Sequence, residues 1–493
     1  MRTDLLLCNI VVVLSVGCLR PPLPPTPKHG GPPWTEIATE HFVIDTDLGR
    51  DDSVNLARQL ENVRNVFIQV VFRRSPKPTP PLRVIALRYD EYSQYDRRAV
   101  GRYESNLLFG PILITSPGDA WGTRECEIRM HELAHAVASL YGDLDWQPRW
   151  LTEGLAAMLE TVYYDAGTGE VEIGQHPPNF EYLYDILENE PDSIYWSDLW
   201  QWDYREPDDP ESEGQRYAVA WAVVHYLSDA RPGAFARYQQ ALATGGDAKE
   251  VWAEVFPDLD PRRLAWTTKN YLRLAQFKIT KVTIPPVRVP VETGRALSDA
   301  DVLGLRALLY LGLSGASERS PQETQSLAKT ALGASLQEDN ASYWAHLVRY
   351  AYFRELASPA VARWAIESHR DDWRAWWWYS RVLAANDGPV KEIRSALRQS
   401  VLLAPGMAVP LVDWSRLEAD AGYWPDALRL AAQAVQASPS NVSGQVAYAV
   451  ALSRTGQCQQ ALDVQEKLVH RLGRIPDVLR QALRDNRVAC ATK

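Results

Sequence analysis

Residues 131–135 read HELAH, and residues 147–160 read QPRWLTEGLAAMLE. In the first stretch His131 and His135 stand four positions apart, so on a helix they lie one turn apart on one face. Two imidazole nitrogens held that way can meet at one metal ion, and zinc takes nitrogen ligands at about 2.0–2.1 Å. Glu132 is turned about 100° from His131 around the same helix, near the ion's place without being a third tight ligand. Ile128, Leu133, Val137 and Ala138 are apolar flanks. The pattern predicts a buried helix over about 125–141.

The second stretch supplies the partner. Glu153 lies eighteen positions after His135, inside a segment with helical spacing. An H-E-x-x-H motif followed by Trp150, Glu153, Gly154 and Ala156 in the pattern W-x-x-E-G-x-A resembles the gluzincin metallopeptidases, specifically the peptidase-MA-like group. The resemblance is tight over about 125–160 and looser over about 36–275. It implies a zincin-like α+β catalytic domain. It implies one zinc ion (Zn2+) held by His131, His135 and Glu153, with Glu132 as the general base that activates water against a peptide bond. In the family's aminopeptidase branch a later helix carries a Tyr that donates to the oxyanion. GQRYAVAWAVVHYL (214–227) looks like that helix, and Tyr217 is the candidate; a buried Tyr packing between helices is the rival reading. His225 on the same segment reads as a packed core histidine. No G-x-M-E-N motif precedes HELAH, so endopeptidase is the default expectation.

Working outward, HFVID (41–45), PLRVIAL (81–87) and LLFGPILIT (107–115) read as strands, and 52–72 as a helix. Strand 107–115 is the candidate sheet edge for binding an extended peptide. This gives a catalytic subdomain over 35–165 and a helical subdomain over 166–277. Within the latter, the acidic stretch 205–214 reads as a solvated loop. KITKVTIPPVRVPVETG (278–294) is Pro-rich and marks a linker over 278–297.

The last part of the chain repeats. Gly388, Gly422 and Gly456 are spaced by 34, as are Pro405 and Pro439, and Ala427-Leu428 recurs at Ala461-Leu462. A 34-residue period of paired helices resembles tetratricopeptide repeats. An all-α solenoid is expected over 298–493, with about four units from Ala341 onward and one or two degenerate pairs before them. Trp373, Trp376, Trp377 and Trp378 cover all faces of one helix, which reads as packing between repeats rather than a carbohydrate platform.

The formal net charge of −10 leaves no basic excess for phosphates, so no nucleic-acid partner is expected. Residues 1–18, MRTDLLLCNIVVVLSVGC, read as a secretion signal whose end resembles a bacterial lipobox. That resemblance implies a lipid anchor on Cys18 and a cell-envelope location; plain secretion is the other reading. The Pro-rich stretch 19–34 reads as a solvated tether. Cys458 and Cys490 are available for a disulfide that spacing alone does not establish, and Cys126 reads as core. Two functions follow: an envelope metallopeptidase acting on proteins or peptides, with repeats that recruit substrate or partner, or a lipid-anchored repeat scaffold for envelope assembly.

Overall fold

A computed structural model describes residues 23–72, 78–97, 100–116, 124–140, 147–175, 199–202, 210–274, 278–287, 294–314 and 318–472, with 484, 486 and 490. The leader with Cys18, and the first half of the acidic stretch (205–209), lie outside these residues; its second half, 210–214, is not loop but the start of a helix.

The main sheet has six strands: β1 (Thr35–Ala38), β2 (Phe42–Thr46), β3 (Leu82–Ala86), β4 (Gly101–Leu107), β5 (Gly110–Thr115) and β9 (Arg295–Ala296). Their order is β4-β5-β3-β2-β1-β9; β2, β3 and β5 are parallel, and β1, β4 and β9 antiparallel to their neighbours. The expected edge is therefore corrected. Residues 110–115 sit inside the sheet, and β4 forms the edge beside the motif helix. A smaller sheet joins β6 (Tyr163–Tyr164), β7 (Glu170–Ile173) and β8 (Thr280–Thr283). The expected linker thus holds two strands, because Thr280, Val282 and Thr283 are β-branched residues that suit a pleated edge better than a free tether.

Alternation along β3 and β5 decides what each face covers. Val84, Ala86 and Leu113 point to a core with α1 (Arg50–Val66), α3 (Arg124–Ser139) and α4 (Arg149–Glu160), the short α2 (Tyr89–Tyr92) following β3. Ile85, Ile112 and Ile114 point the other way, onto Val302, Leu305 and Leu308 of α9 (Asp299–Gly312). Each fully buried Val, Leu or Ile contributes about 1.5–3 kcal/mol, so neither face can be uncovered cheaply.

Among the described residues, four helices follow β7: α5 (Pro210–Ala230), α6 (Pro232–Ala243), α7 (Ala248–Val255) and α8 (Pro261–Arg273). Beyond β9, the helices among the described residues pair in sequence into five hairpins. These are α9 with α10 (Pro321–Glu338), α11 (Tyr343–Phe353) with α12 (Pro359–Ser368), α13 (Trp373–Ala385) with α14 (Val390–Leu403), α15 (Ala408–Asp420) with α16 (Trp424–Ala437), and α17 (Val442–Arg454) with α18 (Cys458–Leu472). Ala427 and Ala461 are fully buried where paired helices meet, which explains the small residue at that repeat position. Gly422 and Gly456 turn the chain with φ of 80° and 87°, where a side chain would be strained. In the hairpin before them Asp387 takes that conformation, with φ 52°, and Gly388 instead closes against the Leu383 carbonyl. Trp373, Trp377 and Trp378 are buried in the solenoid, as packing residues. Cys458 and Cys490 form a disulfide, and Cys126 is buried in the core, outside any disulfide.

Besides the packing of α9 and the pairing of β9, two junctions among the described residues bring the α11–α13 region to the sheet. Arg83 on β3 pairs with Asp45 at 2.6 Å and reaches Asp372, just ahead of α13, at 3.5 Å; Tyr343 donates to the same carboxylate at 3.1 Å. The β4–β5 turn is the second. Leu108 and Phe109 have φ of 47° and 68°, and Arg374 Nε donates to the Leu108 carbonyl at 3.2 Å. The Phe109 ring lies 4.4 Å from that of Trp377. The amino-terminal stretch is also docked rather than solvated from residue 23 onward. Arg306 Nη1 donates to the Pro24 carbonyl at 2.6 Å, and Trp34 is buried.

Candidate metal centre

α3 carries HELAH and α4 carries Glu153, as the helical spacing predicts. The two helices pack together, and one donor atom from each of His131, His135 and Glu153 falls within 4.8 Å of the others. His131 Nε2 and His135 Nε2 each stand 3.3 Å from Glu153 Oε2, and 3.2 Å from one another. Glu153 Oε1 turns instead toward Arg149 Nε, at 3.8 Å. Two nitrogens and one carboxylate oxygen thus converge on one point, the donor set of many catalytic zinc sites. The side chains present fit that ion.

Gly154 makes the packing of α4 possible. A Cβ there would meet the Ala220 carbonyl of α5 at 2.5 Å and Val224 Cγ2 at 2.6 Å. The glycine after the ligand is therefore a packing requirement, letting α5 lie against α4.

Around the donors, the geometry supplies residues that sequence reading passed over. Glu160 Oε2 accepts from His131 Nδ1 at 3.0 Å. A carboxylate on Nδ1 fixes the hydrogen there and leaves the Nε2 lone pair for a metal. Burial opposes charge on His131, yet Glu153 and Glu160 together push its pKa up to about 10. Burial likewise works against the Glu153 carboxylate, but His135 and His131 hold it well below the usual range. Glu132 Oε2 accepts the backbone N–H of Tyr103, on edge strand β4, at 2.6 Å. Gly101 lets β4 approach α3, since a Cβ there would stand 3.1 Å from Ile128 Cγ2.

Tyr217 is brought to the site. Its ring centroid is 6.1 Å from that of His131, and its oxygen shares a hydrogen bond with Arg149. Burial, then Glu153, push the Tyr217 pKa up, so the phenol keeps its proton. Arg149 spans the region, pairing with Glu213 at 2.5 Å and lying 4.3 Å over the Trp202 ring. His225 is in the core as expected, with Nδ1 2.8 Å from the Tyr271 hydroxyl. A separate cavity of about 380 Å³ lies between α3 and the solenoid. It is lined by Leu133, Ala136 and Val137, on the opposite side of α3 from His131, and none of the three donors lines it.

The class defined so far is an α+β unit with a two-helix His/His/Glu cluster, joined to a solenoid of helical hairpins. Residues 128–246, which span α3 to α6, match a family model described as "Protein of unknown function (DUF1570)". No curated protein matches the chain. Among solved structures, the chain is similar to the crystal structure of yeast Tom70, at 11% identity and a TM-score of 0.35, over 90% of this chain and 75% of that one. At that score the likeness carries no weight here; the helical hairpins are read from the chain itself.

Proposed function

We propose that this chain is a zinc-dependent peptide-bond hydrolase of the cell envelope. The observation that carries the reading is the convergence of His131 Nε2, His135 Nε2 and Glu153 Oε2, with Glu132 beside them on α3. Bound there, zinc would supply Lewis acidity to polarise a carbonyl and acidify water. Glu132 takes the proton of the attacking water and passes it to the leaving amine. The Tyr103 N–H holds one Glu132 oxygen, which orients the carboxylate and leaves its other oxygen for the transfer. Tyr217, kept protonated, donates to the oxyanion, while Arg149 holds its oxygen in place. Edge strand β4 offers backbone groups to an extended peptide. The helical hairpins would recruit substrate or a protein partner. Envelope placement, through a lipid on Cys18, rests on the leader's resemblance to a lipobox. The Cys458–Cys490 disulfide fits it, because disulfides persist in oxidising compartments.

The test is zinc content per chain, by elemental analysis, beside proteolysis of an unfolded protein. Wild type should hold one zinc, Glu153→Ala little, and Glu132→Gln should keep zinc while losing hydrolysis. A folded wild type that takes up no supplied zinc would sink the reading. The five helical hairpins favour a second one, an anchored scaffold with an idle site. Zinc-loaded wild type no faster than Glu132→Gln would favour it.

A further inference from the structure

The cavity between α3 and the solenoid has apolar walls and one buried cation. Leu133, Val137 and Leu140, on the side of α3 turned away from His131, line it together with Leu82. At about 380 Å³ it falls within the range of small-molecule sites, which are mostly apolar with a few placed polar groups. The cation is Arg374, 5% exposed. Its Nε donates to the Leu108 carbonyl at 3.2 Å, Nη1 stands 3.6 Å from Asp372, and Nη2 has no hydrogen-bond partner among the described residues. Asp372 is shared, since it also holds Arg83 and accepts from Tyr343. Burial keeps the Arg374 pKa below the usual arginine value, with Asp372 and Tyr343 offsetting it only in part. The missing Cβ of Gly110 keeps Nη2 within reach. One placed there would stand 2.8 Å from Nη2, 3.2 Å from Trp373 Cζ2 and 3.3 Å from Met407 Cε. All four of these residues line the cavity. The other basic groups of the wall, His41 and Arg64, have partners of their own, Glu61 at 2.8 Å in the case of His41. Among the described residues no Asp or Glu lines the space.

We infer that this cavity is a binding site for a small monocarboxylate with an apolar chain, its carboxylate on Arg374 and its chain along α3. A buried guanidinium with an unused N–H edge is under-solvated, and a carboxylate answers it with a charge-assisted hydrogen bond. α15 adds to the attraction. It begins at Ala408, on the cavity wall, with no side chain capping its first turn, so its N–H groups and dipole favour negative charge there. The carbon-only side chains of Leu82, Leu133, Val137 and Leu140 decide the rest of the ligand. A peptide would bury N–H and C=O groups against them without partners, whereas an alkyl chain gains from the same contact. Such a ligand touches α3 and the solenoid at once, so its binding ties the two together. The inference does not depend on the hydrolase reading.

The experiment is isothermal titration calorimetry of the full chain with octanoate, octanol and N-acetyl-leucyl-leucine, beside thermal unfolding. Octanoate should bind at a single site per chain and raise the melting temperature. Octanol, of the same length without the charge, should bind about tenfold more weakly. Arg374→Gln should abolish that difference between acid and alcohol. Leu140→Trp, which fills the apolar part from a partly exposed position, should weaken both. The second variant leaves every bond of Arg374 in place, so it tests the site even where loss of the Leu108 contact unfolds the first. No saturable octanoate binding, equal affinity for acid and alcohol, octanoate binding unchanged in Leu140→Trp, or tighter binding of the dipeptide would each overturn the proposal.

Discussion

At the scale of single residues, the proposed metal centre depends on side chains that would orient its three donors as much as on the donors themselves. Glu160 holds His131 Nδ1 and so presents Nε2. Glu160→Ala should lower zinc affinity about 10–100-fold, read by competition with a chromogenic chelator, while Glu160→Gln, which keeps an acceptor, should lose less. Gly154→Ala should destabilise the fold by about 1–3 kcal/mol, because the added methyl meets α5 backbone. A urea midpoint equal to wild type would contradict that packing. His131 and His135 were legible in the sequence because a helix fixes the relative position of residues four apart; Glu153, on a second helix, and the role of Glu132 were legible only through the resemblance of their motifs to the gluzincins. Arg149 and Glu160 could have been read the same way, since they lie four before and seven after Glu153 on one helix face. The bond from Tyr103 to Glu132 could not, because it depends on where a separate strand is laid.

At the scale of elements, the strongly periodic helices were readable and the sheet's margins were not. β4 reads GRYESNL, polar at most positions, and becomes a strand through pairing with β5 rather than through its own alternation. β9 is two residues long and carries no pattern; its place comes from pairing with β1. The junction at Asp372 has a pH dependence that follows from its partners. Burial opposes the charge, but Arg374 and Arg83 outweigh it and hold the Asp372 pKa below the ordinary value. A depressed carboxylate adds stability that is present above its unfolded value, about 4, and is lost as pH falls through the lower folded value. Urea midpoints followed from neutral to acid pH should therefore fall more steeply in wild type than in Asp372→Asn. Parallel curves would mean that the pair contributes nothing to the acid limb.

At the scale of the molecule, the solenoid is the second cover of the six-stranded sheet. Sequence reading cut the chain at 297 because Pro and β-branched residues look like a linker there. What it could not see is that Ile85, Ile112 and Ile114 need α9. A chain ending at 297 should expose that face and aggregate or bind a hydrophobic dye, as read by light scattering. A soluble, cooperatively melting product would refute the shared core.

The clamp on Leu108 and Phe109 reaches further. The strand gripped at its tip by Arg374 and Trp377 is the one whose Tyr103 N–H touches Glu132. Tyr103 and Leu108 are five steps apart along the chain, at most about 17 Å. For a hydrolase of the proposed kind, a cargo seated on the helical surface would meet the cutting point at a set reach, like work held in a jig. Cut positions mapped by mass spectrometry should then keep a constant spacing from the seated segment, and Phe109→Ala should blur it.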